Sequence, residues 1–344
     1  MCDTLNRMID EWIKKKIGMP LKEPLTRAAI IVWQRDALRQ TLKLAKNNSK
    51  YYSKTLAGID PDTDIKTISD ISKLPFTNES DLISSGNGMV CVPASGVSRI
   101  VTLPTSGTTG EPKRLFFTEA DQELMIDYIH HGLALMAGPA DTFLILMPCK
   151  RTGSIGDLVR KGLTRGGVKV IPHGTIPGDG SEDEKILALI GREGVSSMLA
   201  TASAAQRLSK QSSGKLKLRS VLLSAEYVSA QARTDIEASW NCLVYEHYGM
   251  TEMGLGGAMA CETRTGYHPR EADLLFEIID PITGAVVKDG EYGEVVFTTL
   301  TREAMPLIRY RTGDRSRFIT EPCPCGSILK RLDRISDRGA PKGY

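Results

Sequence analysis

Between residues 142 and 224 the chain alternates short apolar runs with longer amphipathic segments, and this alternation restricts the fold more than any other feature. Apolar runs at 142–148, 168–172, 197–200 and 218–224 have strand length. The segments between them, 155–164, 182–193 and 202–210, carry apolar residues at helical spacing. Strands separated by helices of this length predict a mainly parallel, doubly wound α/β sheet. In such sheets ligands sit beyond the carboxyl ends of the strands.

Upstream, Leu5, Met8, Ile9, Trp12, Ile13 and Ile17 predict a docked amphipathic helix that ends at Gly18-Met19-Pro20. A second helical stretch spans 25–44, and 119–137 is also helical. The first 90 residues carry no pattern that points to chemistry, and core packing is their expected role. From Asp273 the texture changes. Runs at 274–279 and 294–300, separated by turns at Asp280-Pro281 and Asp289-Gly290, predict antiparallel strands and a smaller β-rich part.

One stretch is not explained by packing. Thr105, Ser106, Gly107, Thr108, Thr109 and Gly110 lead through Glu111 and Pro112 to Lys113, between apolar runs at 100–103 and 115–117. It predicts a strand, a loop and a second strand. Glycines let the backbone approach an anion, hydroxyls and amides donate to phosphate oxygens, and the lysine adds a compact charge. The pattern G-x-x-x-x-G-K-[ST] is absent, because two residues separate Gly110 from Lys113 and Arg114 follows. A Gly/Thr hairpin turn is the alternative for the loop taken alone.

A charge of +3 from 44 basic and 41 acidic residues, interleaved along the chain, marks no nucleic-acid surface. No apolar run reaches the ~20 residues needed to span a bilayer, and residues near the N-terminus lack the apolar block of a signal peptide, so a cytoplasmic location is expected. Seven cysteines, an odd number, argue for free thiols or metal ligands over a disulfide framework. Two short ligand pairs, Cys261 with His268 and Cys323 with Cys325, fit a closed Cys3His zinc site, although Cys-x-Cys is tighter than usual. Reduced loop cysteines beside a surface histidine are the alternative. Cys91, Cys149 and Cys242 lie in apolar runs and are expected in the core.

The run from Thr105 to Lys113 resembles the signature loop of the adenylate-forming superfamily of acyl-CoA synthetases, luciferases and adenylation domains. Further along, His247-Tyr248-Gly249-Met250-Thr251-Glu252 is similar to that superfamily's Tyr-Gly-x-Thr-Glu motif, and Tyr310-Arg311-Thr312-Gly313-Asp314 to its ribose-binding motif. The residues from Gly266 to Pro281 and from Phe297 to Arg311 resemble the phenylacetate-CoA ligase branch. The resemblance implies the large N-terminal domain of an adenylate-forming enzyme: a helical part at 1–90, an α/β nucleotide-binding core at 91–260, a β-rich subdomain at 261–338 and a hinge at 339–344. It also implies that the C-terminal small domain, with its lysine, is absent from this sequence.

The implied reaction is ATP-dependent ligation of a small carboxylic acid to coenzyme A. Acid and ATP give acyl-adenylate and pyrophosphate, and the thiol then displaces AMP. By resemblance Lys113 and the loop hold phosphates, Thr251 contacts the α-phosphate and Glu252 binds Mg2+. Tyr248 stacks on adenine beside Gly249 and Met250; Ser224, Ala225 and Glu226 edge the base; Asp314 accepts from the ribose hydroxyls; Arg334 precedes the hinge. His247 either faces the acyl pocket or packs. The segment 149–156 has charge and no aromatic, which does not favour a phenyl acid and leaves a smaller or anionic one; Lys150 and Arg151 either pair with a second carboxylate or are solvated loop charges. A homodimer is one assembly the resemblance allows. Transfer of AMP to another acceptor, as in deazaflavin-adenylating or acyl-protein synthetases, and non-catalytic nucleotide binding are the rivals.

Overall fold

A computed structural model of the chain describes residues 7–103 and 112–336. The chain divides into two compact units. One takes in residues 125–248 and 259–267; the other takes in 9–124, 249–258 and the chain from 268 onward.

The first unit is the predicted parallel sheet. Strands β1 (Thr142–Ile145), β2 (Lys169–Pro172), β3 (Ser197–Ala200), β4 (Ser220–Leu223) and β5 (Leu243–Tyr248) run parallel in the order β2-β1-β3-β4-β5. The order reverses at β1. Strands β3 and β4 are buried at every position, as expected of strands covered on both faces. Helices Asp183–Glu193, Ala202–Gln211 and Ala230–Trp240 lend Ile186, Ile190, Leu208, Ile236 and Trp240 to one core with Met198, Val221 and Leu223. Burying each such aliphatic side chain stabilises the unit by about 1.5–3 kcal/mol. The indole N–H of Trp240 donates to the Ser212 hydroxyl at 2.8 Å, so its burial leaves no orphaned donor.

The second unit joins N-terminal helices to the β-rich part of the chain. Helix Arg27–Asn48 is capped by Thr26, whose hydroxyl accepts from the Ala29 amide at 3.2 Å. Its buried residues Ile30, Gln34, Leu38, Thr41, Leu42 and Ala45 repeat at helical spacing. Three polar side chains fasten this face to the 271–300 segment. Trp33 donates to Ala272 O at 2.7 Å, Gln34 to Glu271 O at 2.9 Å and Thr41 to Leu300 O at 2.7 Å. Strands β6 (Leu274–Ile279), β7 (Gly293–Thr299) and β8 (Tyr310–Ser316) form an antiparallel sheet in that order. The sequence pattern shows the first two strands and not the third, because β8 is strongly polar and its burial is irregular.

A two-stranded hairpin, Arg99–Leu103 with Lys113–Phe117, also belongs to this unit and pairs Leu103 with Lys113. These are the two strands expected on either side of the Gly/Thr run. The loop residues Thr105 to Gly110 themselves lie outside the described residues. Among the described residues, no helix is long and apolar enough to cross a membrane.

Candidate nucleotide and metal sites

Lys113 begins the second hairpin strand, and its ammonium meets two carboxylates of the same unit. Nζ lies 2.6 Å from Glu252 Oε1 and 2.7 Å from Glu79 Oε1. The Glu252 side chain is only 2% exposed, whereas that of Glu79 is half exposed. Burial lowers the Lys113 pKa, but the hydrogen bonds and charges of Glu252 and Glu79 outweigh it, and the net shift is upward.

Glu252 is fixed from its backbone side as well. It lies in the short 3-10 turn Thr251–Met253, closed by Gly254 in the left-handed region, and Leu255 N–H donates to Met250 O at 2.9 Å. Arg302 Nη1 donates to the Glu252 carbonyl at 2.6 Å, and its guanidinium lies over the Phe117 ring at 5.1 Å. Burial lowers the Arg302 pKa to about 10, opposed by Asp121, Asp273 and Glu252. Gly249 is required by space: a Cβ there would fall 1.8 Å from the Leu255 carbonyl oxygen. A cation already sits against the Glu252 carboxylate, so the donor fits a hard metal ion such as Mg2+, which prefers oxygen ligands.

Asp314 is buried in β8, 2% exposed, within the bulge at which the register with β7 shifts. Gly313 provides the positive φ of +74°, and its N–H donates to Glu294 Oε1 at 3.1 Å. The Asp314 amide donates to Thr312 Oγ1 at 3.0 Å. Two arginines brace the strand entry: Arg309 pairs with Glu277 at 2.9 Å and stacks on Phe76, and Arg311 Nε donates to Glu294 at 3.0 Å. Arg334 lies further on, its amide donating to Asp333 Oδ1 at 2.8 Å.

In the parallel-sheet unit, Ser224 to Glu226 and Tyr248 lie at the carboxyl ends of the adjacent strands β4 and β5, the edge at which ligands bind in open α/β sheets. Leu223 pairs with Glu246, so the next positions, Ser224 and His247, face each other. His247 Nε2 lies 2.7 Å from Ser224 Oγ. Burial lowers the His247 pKa to about 4. Ala225 has a positive φ of 67°, turning the chain so that the Glu226 carboxylate accepts from the Ser203 amide at 2.8 Å and hydroxyl at 2.9 Å. Cys91 and Cys242 are buried as expected, with burial raising both thiols to about 12, whereas Cys149 is only partly buried and donates to Pro172 O at 3.3 Å. Lys150 and Arg151 are exposed.

Three of the four expected soft ligands come together in the second unit. The ligand atoms of His268, Cys323 and Cys325 all lie within 4.8 Å of one another, and all three residues are buried. Gly326, at a φ of +81°, donates to Cys323 O at 2.9 Å and closes the Cys-Pro-Cys-Gly turn. His268 Nδ1 lies 3.2 Å from the Lys330 carbonyl, which can only accept, so Nδ1 carries the proton and Nε2 faces the Cys325 sulfur at 3.4 Å. A tetrahedral zinc with bonds of about 2.0–2.3 Å suits such a cluster. Cys261 belongs to the other unit, its sulfur 3.1 Å from Thr263 Oγ1.

Glu79 and Arg302 carry no motif signature; only contacts identify them. The second unit also has a cavity of about 560 Å3 lined by Ile31, Phe276, Val287 and Phe318; Lys113, Glu252 and Asp314 do not line it.

A sequence model described as AMP-binding enzyme matches residues 21–300. Phenylacetate-coenzyme A ligase of Thermus thermophilus is 30% identical over 334 residues, covering 93% of this chain and 72% of that protein. The enzyme of the same name from Pseudomonas putida is 33% identical over 318 residues, covering 89% and 70%. Among solved structures, an open conformation of 2-hydroxyisobutyryl-CoA ligase in complex with 2-HIB-AMP and CoA matches with a TM-score of 0.80 at 22% identity, covering 91% of this chain and 70% of that one.

Proposed function

The chain belongs to the AMP-binding enzyme family, and from that premise we propose that it is an ATP-dependent acid-thiol ligase that activates a small carboxylic acid for transfer to coenzyme A. The acid's carboxylate oxygen attacks the α-phosphorus of ATP and the bond to pyrophosphate breaks. The thiolate of coenzyme A then attacks the acyl carbon and AMP leaves.

The observation that carries this reading is the meeting of Lys113 and Glu252 at 2.6 Å, because it brings the end of the signature loop onto the Tyr-Gly-x-Thr-Glu motif. Lys113 would hold phosphate charge and Thr251 would donate to the α-phosphate. Glu252 would hold Mg2+, which when bound shields the charge between ATP and the incoming carboxylate. Tyr248 would stack on adenine with Ser224, Ala225 and Glu226 at its edge. Asp314, with two acceptor oxygens, would take both ribose hydroxyls. The curated relatives are phenylacetate ligases, but the charged, non-aromatic 149–156 segment favours a smaller or anionic acid.

A structural zinc is proposed on His268, Cys323 and Cys325, with Cys261, which precedes His268 closely in the chain, as the fourth ligand. Four protein ligands leave no open position for a substrate, so the metal's role would be to stabilise.

Acid-dependent exchange of pyrophosphate into ATP tests the assignment across a panel of acids. Exchange in the wild type that is lost in Glu252→Gln, with mass spectrometry showing acyl-CoA when coenzyme A is added, supports it. Exchange unchanged in Glu252→Gln contradicts the role of Glu252, and AMP attached to a different acceptor would transfer the chain to the rival class.

A further inference from the structure

Two carboxylates share one ammonium at the root of the signature loop. Glu252 is buried and held by its own turn and by Arg302, so it cannot follow Lys113 if the lysine moves. Glu79 is different. It is the first residue of helix Glu79–Ser85, whose capping box uses Asn78 and Asp81 and leaves the Glu79 carboxylate without a capping duty. That carboxylate accepts from Lys113 at 2.7 Å while Glu252 Oε1 stands 2.6 Å from the same nitrogen. An ammonium has three donors and can serve both at once.

We infer that Glu79 is a positioning residue that holds Lys113 against Glu252, so that without nucleotide the lysine occupies the carboxylate a divalent cation would take, and phosphate and metal are admitted together. The inference rests on the nucleotide reading above. A cation approaching Glu252 meets a like charge in direct contact with the ligand oxygen, which disfavours it strongly in a buried setting. A polyphosphate offers Lys113 more negative charge than Glu79 does. Once the lysine swings to it, Glu252 is released. Metal affinity therefore depends on nucleotide, and Glu79 competes with phosphate for the same ammonium.

Two binding measurements on the full chain test this, with circular dichroism confirming the fold of each variant. In the first, Mn2+ is titrated without nucleotide and followed by electron paramagnetic resonance. Lys113→Met, which leaves Glu79 and Glu252 around one vacated point, is expected to bind Mn2+ at least about tenfold more tightly than wild type. In the second, ATP is titrated in EDTA by calorimetry. Glu79→Gln is expected to bind about fivefold more tightly than wild type, and that gain is expected to vanish when Glu79→Gln is made in the Lys113→Met background.

Equal Mn2+ affinity in wild type and Lys113→Met overturns the inference. So does an ATP gain from Glu79→Gln that persists undiminished without Lys113, because the effect would then be long-range charge alone. A wild type that binds no ATP even with Mg2+ would instead overturn the nucleotide reading.

Discussion

Arg302 donates a 2.6 Å hydrogen bond from Nη1 to the backbone carbonyl of Glu252, so the turn that presents the proposed metal ligand is pinned by a guanidinium from a distant part of the chain. Replacing it with methionine leaves a buried carbonyl without this donor, a loss of about 1–3 kcal/mol. Arg302→Met is expected to unfold at lower denaturant concentration and to raise the Mg2+ concentration needed for half-maximal pyrophosphate exchange. Arg302→Lys keeps a charge and one donor and is expected to recover part of both. Equal Mg2+ dependence in wild type and methionine variant would remove Arg302 from the site's support.

Gly249 makes a sharper prediction. Its missing Cβ is the only reason the Leu255 carbonyl can pass so close, and backbone at 1.8 Å cannot be accommodated by a side-chain rotation. Gly249→Ala is expected to displace the 250–255 turn and lower exchange activity by about 100-fold or more, which corresponds to about 2.7 kcal/mol of transition-state stabilisation. Far-ultraviolet circular dichroism of the folded variant should be near that of wild type.

His247 predicts a pH dependence of stability. Its pKa is lowered to about 4 by burial, from an ordinary 6.5. Between these values the unfolded chain binds a proton that the folded chain excludes, so stability rises with pH across this window and is lost as pH falls through it. The stability lost through this group between pH 7 and pH 5 is about 2 kcal/mol. Urea unfolding of His247→Gln at pH 5 and pH 7 should show a smaller difference than wild type; an equal difference would mean another group is responsible.

For the proposed zinc, metal analysis of purified protein should find one zinc per chain, and Cys325→Ser should lose it. Loss of a structural metal is expected to lower the melting temperature by several degrees. Lys330 bears on the same site through its carbonyl, which keeps the His268 proton on Nδ1. No zinc in wild-type protein, with Cys325→Ser as stable as wild type, would mean that the buried thiols serve packing.

The sequence by itself determined the periodic and the chemical parts of this protein. Alternation of short apolar strands with amphipathic helices marked β1 to β4 and the parallel sheet, and two-sided burial keeps β1, β3 and β4 apolar without interruption. Residue types in fixed order marked Lys113, Glu252 and Asp314, and paired cysteines marked the sulfur cluster. Tertiary structure alone decided what has no period. The polar strand β8 is held by partners remote in sequence, such as Glu294 on Arg311. The reach of Arg302 to Glu252 and of Glu79 to Lys113 depends on which loops the fold brings side by side, and a contact between distant residues leaves no pattern along the chain.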